Sequence, residues 1–354
     1  MVTFSWRGVR RHLHLALVVL AGLGAAQAAA QSATPAGAVI LMYHRFGEDA
    51  YPSTSIQLDQ FEEHVAKLTS GPYHVLSLSQ VVVALREDTP LPDRTVVITI
   101  DDAYRSIYTE AFPRLQAAGL PFTIFVNTDS VGQVAGVLTW EELRIMEDAG
   151  VEIGAHSAGH AHMAIQDRGA MEEDLARMTA TFLTELGHVP ALFAYPYGEY
   201  SSELRAMVED AGYGAAFGQH SGVATAGSDM FTLPRFALNE RYGEPDRFAT
   251  IVDALPLPVS DALPSDMLIQ PGSGMANPPA IGFTVGEDAG RLDRLACFAS
   301  HDEGLSMDLL GRRVEVRLTR PFPPGRSRLN CTLPTADGRF RWYGMAFLVP
   351  GAED

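Results

Sequence analysis

Two carboxylates, Asp101 and Asp102, stand side by side at the end of the apolar run Val96-Val97-Ile98-Thr99-Ile100. Further along, His156 and His160 follow a second apolar segment, Val151-Glu152-Ile153-Gly154-Ala155. One carboxylate and two imidazoles, with a position left open, make the ligand set of a catalytic zinc site. The second carboxylate is then free to move a proton. The pattern reads as a metal-dependent hydrolase, with Asp102, His156 and His160 as candidate ligands. Each motif also has a plain structural reading. Acidic pairs cap helices, and the two histidines could be ordinary polar loop residues. Taken together, the two motifs favour the metal.

A third segment, Phe193-Ala194-Tyr195-Pro196-Tyr197-Gly198-Glu199, has the makings of a shaped turn. Pro196 fixes φ and Gly198 permits a tight backbone path. Such a turn can aim a backbone N–H at a developing oxyanion, or it can simply end a strand.

These residues need a scaffold. From 38 to 255, short apolar runs alternate with helix-like segments. Strands are expected at 38–43, 75–78, 95–100, 122–126, 151–155 and 191–195. Helices are expected at 58–68, 80–86, 106–118 (kinked at Pro113), from Thr139, at 168–186 and from Ser201. The 95–100 run is β-branched almost throughout, which suggests burial on both faces. Alternation of this kind favours a parallel sheet closed into a distorted (β/α) barrel, whose chemistry sits at the C-terminal ends of the strands. Asp101, Asp102, His156, His160, Tyr195, Tyr197 and His44 all fall at or just after such ends. Prolines and glycines between 256 and 279 suggest a linker. Strand patterns dominate 280–350, which reads as a small all-β sandwich.

The first thirty residues look like a signal peptide. Arg7, Arg10 and Arg11 form a basic start, 13–26 is apolar but short, and Ala26-Gln27-Ala28 fits a cleavage site. An uncleaved anchor is the alternative. No later segment is apolar enough to span a bilayer, so the expected location is periplasmic or secreted. The formal charge is −17, and loss of the three arginines would leave the mature chain more acidic still. Such a surface repels phosphate backbones and anionic lipid, so nucleic acid is not an expected partner. The oligomeric state is left open. Cys297 and Cys331 form one disulfide in an exported protein, or remain two buried thiols.

At this point the motifs resemble those of the polysaccharide deacetylases, the carbohydrate esterase family 4 group with the NodB homology domain. Thr99-Ile100-Asp101-Asp102-Ala103 resembles that family's Thr-Phe-Asp-Asp-Gly motif. His156-Ser157-Ala158-Gly159-His160 resembles its His-Ser/Thr-x-x-His motif, and 193–198 resembles its Arg-Pro-Pro-Tyr-Gly segment. The resemblance covers about 38–255. It implies a divalent metal, usually Zn2+, held by Asp102, His156 and His160, polarising an acetamide carbonyl and acidifying a water. It implies Asp101 as general base and the Tyr197 N–H as an oxyanion donor. The family's late histidine acid has no clean counterpart here. His220 is the first candidate and His44 the alternative, although His44 could instead orient substrate. The family's third-motif arginine is replaced by Ala194. Arg235 could support the base from another direction, or make an ordinary ion pair. Trp140 and Tyr195 could stack on sugar rings.

The function expected is that of an exported, metal-dependent hydrolase removing N-acetyl groups from an N-acetylated glycan. Two alternatives stand beside it: a glycan-binding protein that has lost turnover, and a deacetylase of a small amide or ester.

Overall fold

A computed structural model of the chain describes Met1 and residues 37–270 and 274–351. Apart from Met1, the expected signal peptide lies outside the described residues. The described residues from 37 onward belong to one compact unit.

Seven parallel strands make the main sheet: β1 (Ala38–Tyr43), β2 (Thr95–Asp101), β3 (Thr123–Val126), β4 (Glu152–Ala155), β5 (Leu192–Ala194), β6 (Ala215–Phe217) and β7 (Phe236–Ala237). Their spatial order is β7-β1-β2-β3-β4-β5-β6, and the short strand His74–Val75 pairs beside β2. Every residue of β2 is buried, as its β-branched run requires. Backbone bonds from Gly218 to Leu233 and from Leu233 to Ala216 carry the chain from β6 toward β7. The result is a distorted (β/α) barrel.

Helices α1 (Leu58–Ser70), α2 (Leu78–Arg86), α3 (Phe112–Ala118), α4 (Trp140–Asp148), α5 (Arg168–Glu185), α6 (Ser202–Asp210) and α7 (Pro245–Val252) complete this part. Ser77 and Thr139 open α2 and α4 with capping boxes to Gln80 and Glu142, which satisfy amides the helix cannot. The single kinked helix expected at 106–118 is instead a π-helical turn, Ile107–Ala111, running into α3. Pro113 has no N–H to give, and Phe112 donates back to the Ile107 carbonyl, so the wide turn precedes the proline.

The C-terminal residues form two four-stranded sheets. One has the order β8 (Leu255–Pro256), β15 (Phe340–Val349), β14 (Gly325–Pro334), β11 (Ala296–Ala299). The other has the order β9 (Val259–Leu263), β10 (Ile281–Val285), β13 (Arg313–Arg317), β12 (Ser306–Leu310). Phe283, Val314, Leu329, Cys331 and Phe347 fill the space between them. Cys297 and Cys331 face each other across β11 and β14 and are disulfide-bonded.

The stretch expected to be a linker supplies β8 and β9. Ile269 and Leu348 also bond across it, so it is part of the sheets. The outer face of the first sheet packs on the barrel. Ala346 and Leu348 join the barrel core, and Trp342 meets Phe236 edge-on at 5.2 Å.

Candidate active site

Strand register places the chemistry. Tyr43 lies opposite Ile100, Asp101 opposite Phe125, Val126 opposite Ala155, and Ala155 opposite Phe193. The residues that follow these positions therefore crowd one end of the sheet: His44, Asp102, His156 and the Tyr195 turn.

Asp102 Oδ1 is 3.1 Å from His160 Nε2 and 3.4 Å from His156 Nε2. One donor atom from each of the three residues falls within 4.8 Å of the others. Asp102 Oδ1 and His156 Nε2 are buried and make no hydrogen bond. Orphaned polar atoms of this kind are costly unless something occupies the space they face. A carboxylate oxygen and two imidazole nitrogens suit a divalent cation such as zinc.

The other nitrogen of His156, Nδ1, is 2.7 Å from the Ala194 carbonyl, which fixes the ring and leaves Nε2 facing the cluster. So position 194, where the resembled motif has arginine, contributes its backbone. Burial acts against the charge on Asp102, but the His156 and His160 imidazoles beside it outweigh that and hold the carboxyl well below its ordinary range. Burial likewise opposes a proton on His156, yet Asp102 and Asp101 draw its pKa up. A cation bound here would displace that proton.

Asp101 is fully buried, and so is Arg235. Arg235 grips it with two parallel bonds, Nη1 to Oδ1 at 2.7 Å and Nη2 to Oδ2 at 2.8 Å. The same guanidinium donates to the Gly218 carbonyl and the Thr99 hydroxyl. Burial pushes the Asp101 pKa up, but Arg235 and His156 bring the net shift downward, so the group is a carboxylate at neutral pH.

The site is built on unusual backbone. Asp102, Ala103, Ser157, His160 and Tyr197 all have positive φ, between 53° and 75°. Non-glycine residues enter this left-handed region at a cost, and such residues cluster where function demands them. Ala103 explains itself in this way: glycine would suit φ 53° better than alanine does.

Several supporting residues were not anticipated. Asp174, buried on α5, accepts from the Ala158 and Gly159 amides at 2.8 and 2.9 Å and so shapes the loop between the two histidines. Its signal was available, because an acid among Met171, Leu175 and Met178 lies on an apolar helix face. Glu199 is 2% exposed and pairs with His162 at 2.7 Å. The His162 ring stacks on Tyr197 at 4.1 Å.

The remaining expected residues divide. His44 lies within the field of both carboxylates. Burial lowers its pKa, and Asp102 and Asp101 work against that shift. His220 is buried beside Tyr200 with Nδ1 unbonded, and burial with Arg328 and Arg235 lowers its pKa to about 4. Tyr195 is fully buried, and its hydroxyl donates to the Phe231 carbonyl at 3.0 Å, so its ring has no face to offer a sugar. Trp140 packs edge-on against Phe182, between α4 and α5, and is not brought among the site residues.

Residues 88–216 match the family model described as polysaccharide deacetylase. That segment resembles a polysaccharide deacetylase domain. The chain is 27% identical over 201 residues to YxkH of Bacillus subtilis (strain 168), covering 57% of this chain and 71% of that protein. It is 27% identical over 244 residues to the poly-beta-1,6-N-acetyl-D-glucosamine N-deacetylase of Escherichia coli (strain K12). That match covers 56% of this chain but only 36% of the Escherichia coli protein. The Streptococcus pyogenes deacetylase PplD, solved with acetate, superposes with a TM-score of 0.57 at 22% identity, over 62% of this chain and 99% of that one. IcaB from Ammonifex degensii superposes with a TM-score of 0.54 at 25% identity, over 62% and 98%. These deacetylase structures share the barrel. Among the described residues, no helix is long and apolar enough to cross a membrane.

Proposed function

We propose that this chain is an exported, metal-dependent N-deacetylase of an N-acetylated polysaccharide. The observation that carries the reading is the Asp102–His156–His160 cluster beside a second carboxylate, Asp101, clamped by Arg235. A purely structural metal site has no use for that spare base. The relative named for poly-beta-1,6-N-acetyl-D-glucosamine supports an N-acetylglucosamine polymer as substrate, and the basic, apolar N-terminal stretch supports export.

A zinc or similar divalent ion held by Asp102, His156 and His160 would supply Lewis acidity toward the amide oxygen and a more acidic water. Asp101 takes the proton from the attacking water. Arg235 keeps it ionised and aims it, since both of its oxygens are fixed by the guanidinium. The Tyr197 N–H, held in a left-handed turn, donates to the oxygen that becomes negative. His44, next in line after the residue paired with Ile100, relays that proton from Asp101 to the leaving amine, so base and relay both return to their starting forms. Its position relative to Asp101 favours it over His220, which feels instead the charges of Arg328 and Arg235. The products are acetate and a free amine.

The test is acetate release from N-acetylglucosamine oligomers by the purified protein, with zinc, with chelator, and for Asp101→Asn. Acetate should appear with zinc and stop with chelator. It should fall by about two orders of magnitude or more in the variant, the scale of a lost general base. Metal binding with no acetate from any glycan would overturn the reading.

A further inference from the structure

The strand β14 runs past the barrel end that carries the site. Its residues alternate: Ser327, Leu329, Cys331 and Leu333 are buried toward the sandwich core, so Arg326 projects on the opposite, barrel-facing side. Arg326 Nη1 donates to the Tyr197 carbonyl at 2.7 Å and to Gln219 Oε1 at 3.2 Å. Its Nε lies 3.5 Å from Glu199 Oε1, and its guanidinium carbon is 5.5 Å from the centre of the Tyr197 ring.

We propose that Arg326 is a positioning residue for the Tyr197 turn, and that the C-terminal β-module is therefore a working wall of the deacetylase site. The proposal deepens the N-deacetylase reading and rests on it.

Tyr197 sits at φ 58°, a conformation a tyrosine does not keep unaided. Three groups hold it. Arg326 takes its carbonyl, His162 stacks on its ring at 4.1 Å, and the His160 ring meets it edge-on at 4.5 Å. Arg326 also governs the second of these. Glu199 is a buried carboxylate whose Oε2 bonds His162 Nδ1, and Arg326 is the cation on its Oε1 side. Without that cation, Glu199 and His162 lose part of their anchorage, and the turn loses two of its holds together. A turn free to relax toward negative φ would rotate the peptide whose N–H faces the oxyanion. The module has no slack to accommodate this, because Gly344 of β15 lies so close to Ser221 of the barrel that no side chain fits between them. Arg326 is partly exposed, so its removal leaves both cores intact.

The experiment compares the zinc-loaded protein with Arg326→Ala and Arg326→Lys, after matching their thermal unfolding. Acetate release gives kcat and KM separately. Hydrogen–deuterium exchange across 195–200 reports the turn through the Gly198 and Glu199 amides, which donate to the Tyr195 and Pro196 carbonyls. In Arg326→Ala we expect kcat to fall about tenfold with KM nearly unchanged, short of the roughly 100- to 1,000-fold loss when an oxyanion donor is removed outright. Exchange at the turn should be faster, and Arg326→Lys should recover part of both. Unchanged kcat and exchange would overturn the proposal. So would a rise in KM alone, which would make Arg326 a substrate contact. If the unaltered protein releases no acetate, the N-deacetylase reading falls. The exchange data then decide the positioning role by themselves: faster exchange in Arg326→Ala supports it, and unchanged exchange refutes it.

Discussion

In the proposed reaction the amine leaves only when a proton reaches its nitrogen, and two histidines are candidates to deliver that proton. His44 follows directly on a strand residue paired with Ile100 and feels Asp101 and Asp102. His220 is buried and feels instead the charges of Arg328 of the β-module and Arg235. The two roles separate cleanly on a substrate whose leaving group needs no proton. His44→Ala should lose about two orders of magnitude on an N-acetylated oligomer while keeping most of its turnover of 4-nitrophenyl acetate. His220→Ala should leave the ratio of the two activities unchanged. Equal losses on both substrates in His44→Ala would remove it from proton delivery. The sequence put His220 first and His44 second, and the proposal reverses that order, because the choice depends on which strand end lies next to β2. The Asp102–His156–His160 cluster was legible for the opposite reason. Its three residues lie in two short motifs, and local spacing alone brings His156 and His160 together.

The strands and their loops explain why Asp101, the proposed base, is supported from so far along the chain. Asp101 ends β2, whereas Arg235 precedes β7, and the two meet because the barrel brings the 233–235 segment past the end of β2. No local pattern announces such a pair. Only the missing arginine at position 194 hinted that another must come from elsewhere. The pair joins two parts of the barrel as well as tuning the base. Arg235→Leu would leave a buried carboxylate without its cation, a loss of about 3–5 kcal/mol. It should therefore lower stability in urea unfolding and abolish acetate release. Arg235→Lys keeps the charge but cannot reproduce the two parallel bonds, so it should fall between. A stability loss in Arg235→Leu no larger than that of an exposed ion pair, about 1 kcal/mol or less, would mean that the buried pair is not what holds Asp101. The same distance effect explains the misread 256–279 stretch. Its prolines look like punctuation, yet β8 and the 267–269 backbone are held by β15 residues that arrive much later in the chain, Arg341, Trp342 and Leu348.

At the scale of the whole molecule, the barrel, the sheet that leans on it and the second sheet behind that form successive layers, and α1 and α7 are tied to the barrel by one buried histidine. His64 accepts from the Tyr43 hydroxyl through Nδ1 at 3.0 Å and donates through Nε2 to the Gly243 carbonyl at 2.7 Å. Its ring lies 3.6 Å from that of Phe248, nearly parallel. This arrangement needs the neutral ring, since a second proton would turn Nδ1 into a donor facing a donor. Burial lowers its pKa to about 4, with Arg247 adding to the shift and the Gly243 bond opposing it. The unfolded chain takes up the proton near the ordinary histidine value of about 6.5. Between those values the unfolded state binds more protons than the folded one, so stability is complete above about 6.5 and drains away as the pH falls toward 4. His64 alone should account for roughly 2 kcal/mol of lost stability between about pH 7 and pH 5. Urea unfolding at the two pH values measures the loss. His64→Gln should reduce it, because a glutamine oxygen can accept from Tyr43 and its amide can donate to Gly243 without any titration. If the variant loses as much stability on acidification as the unaltered protein, the acid sensitivity lies elsewhere and His64 keeps its place only as packing.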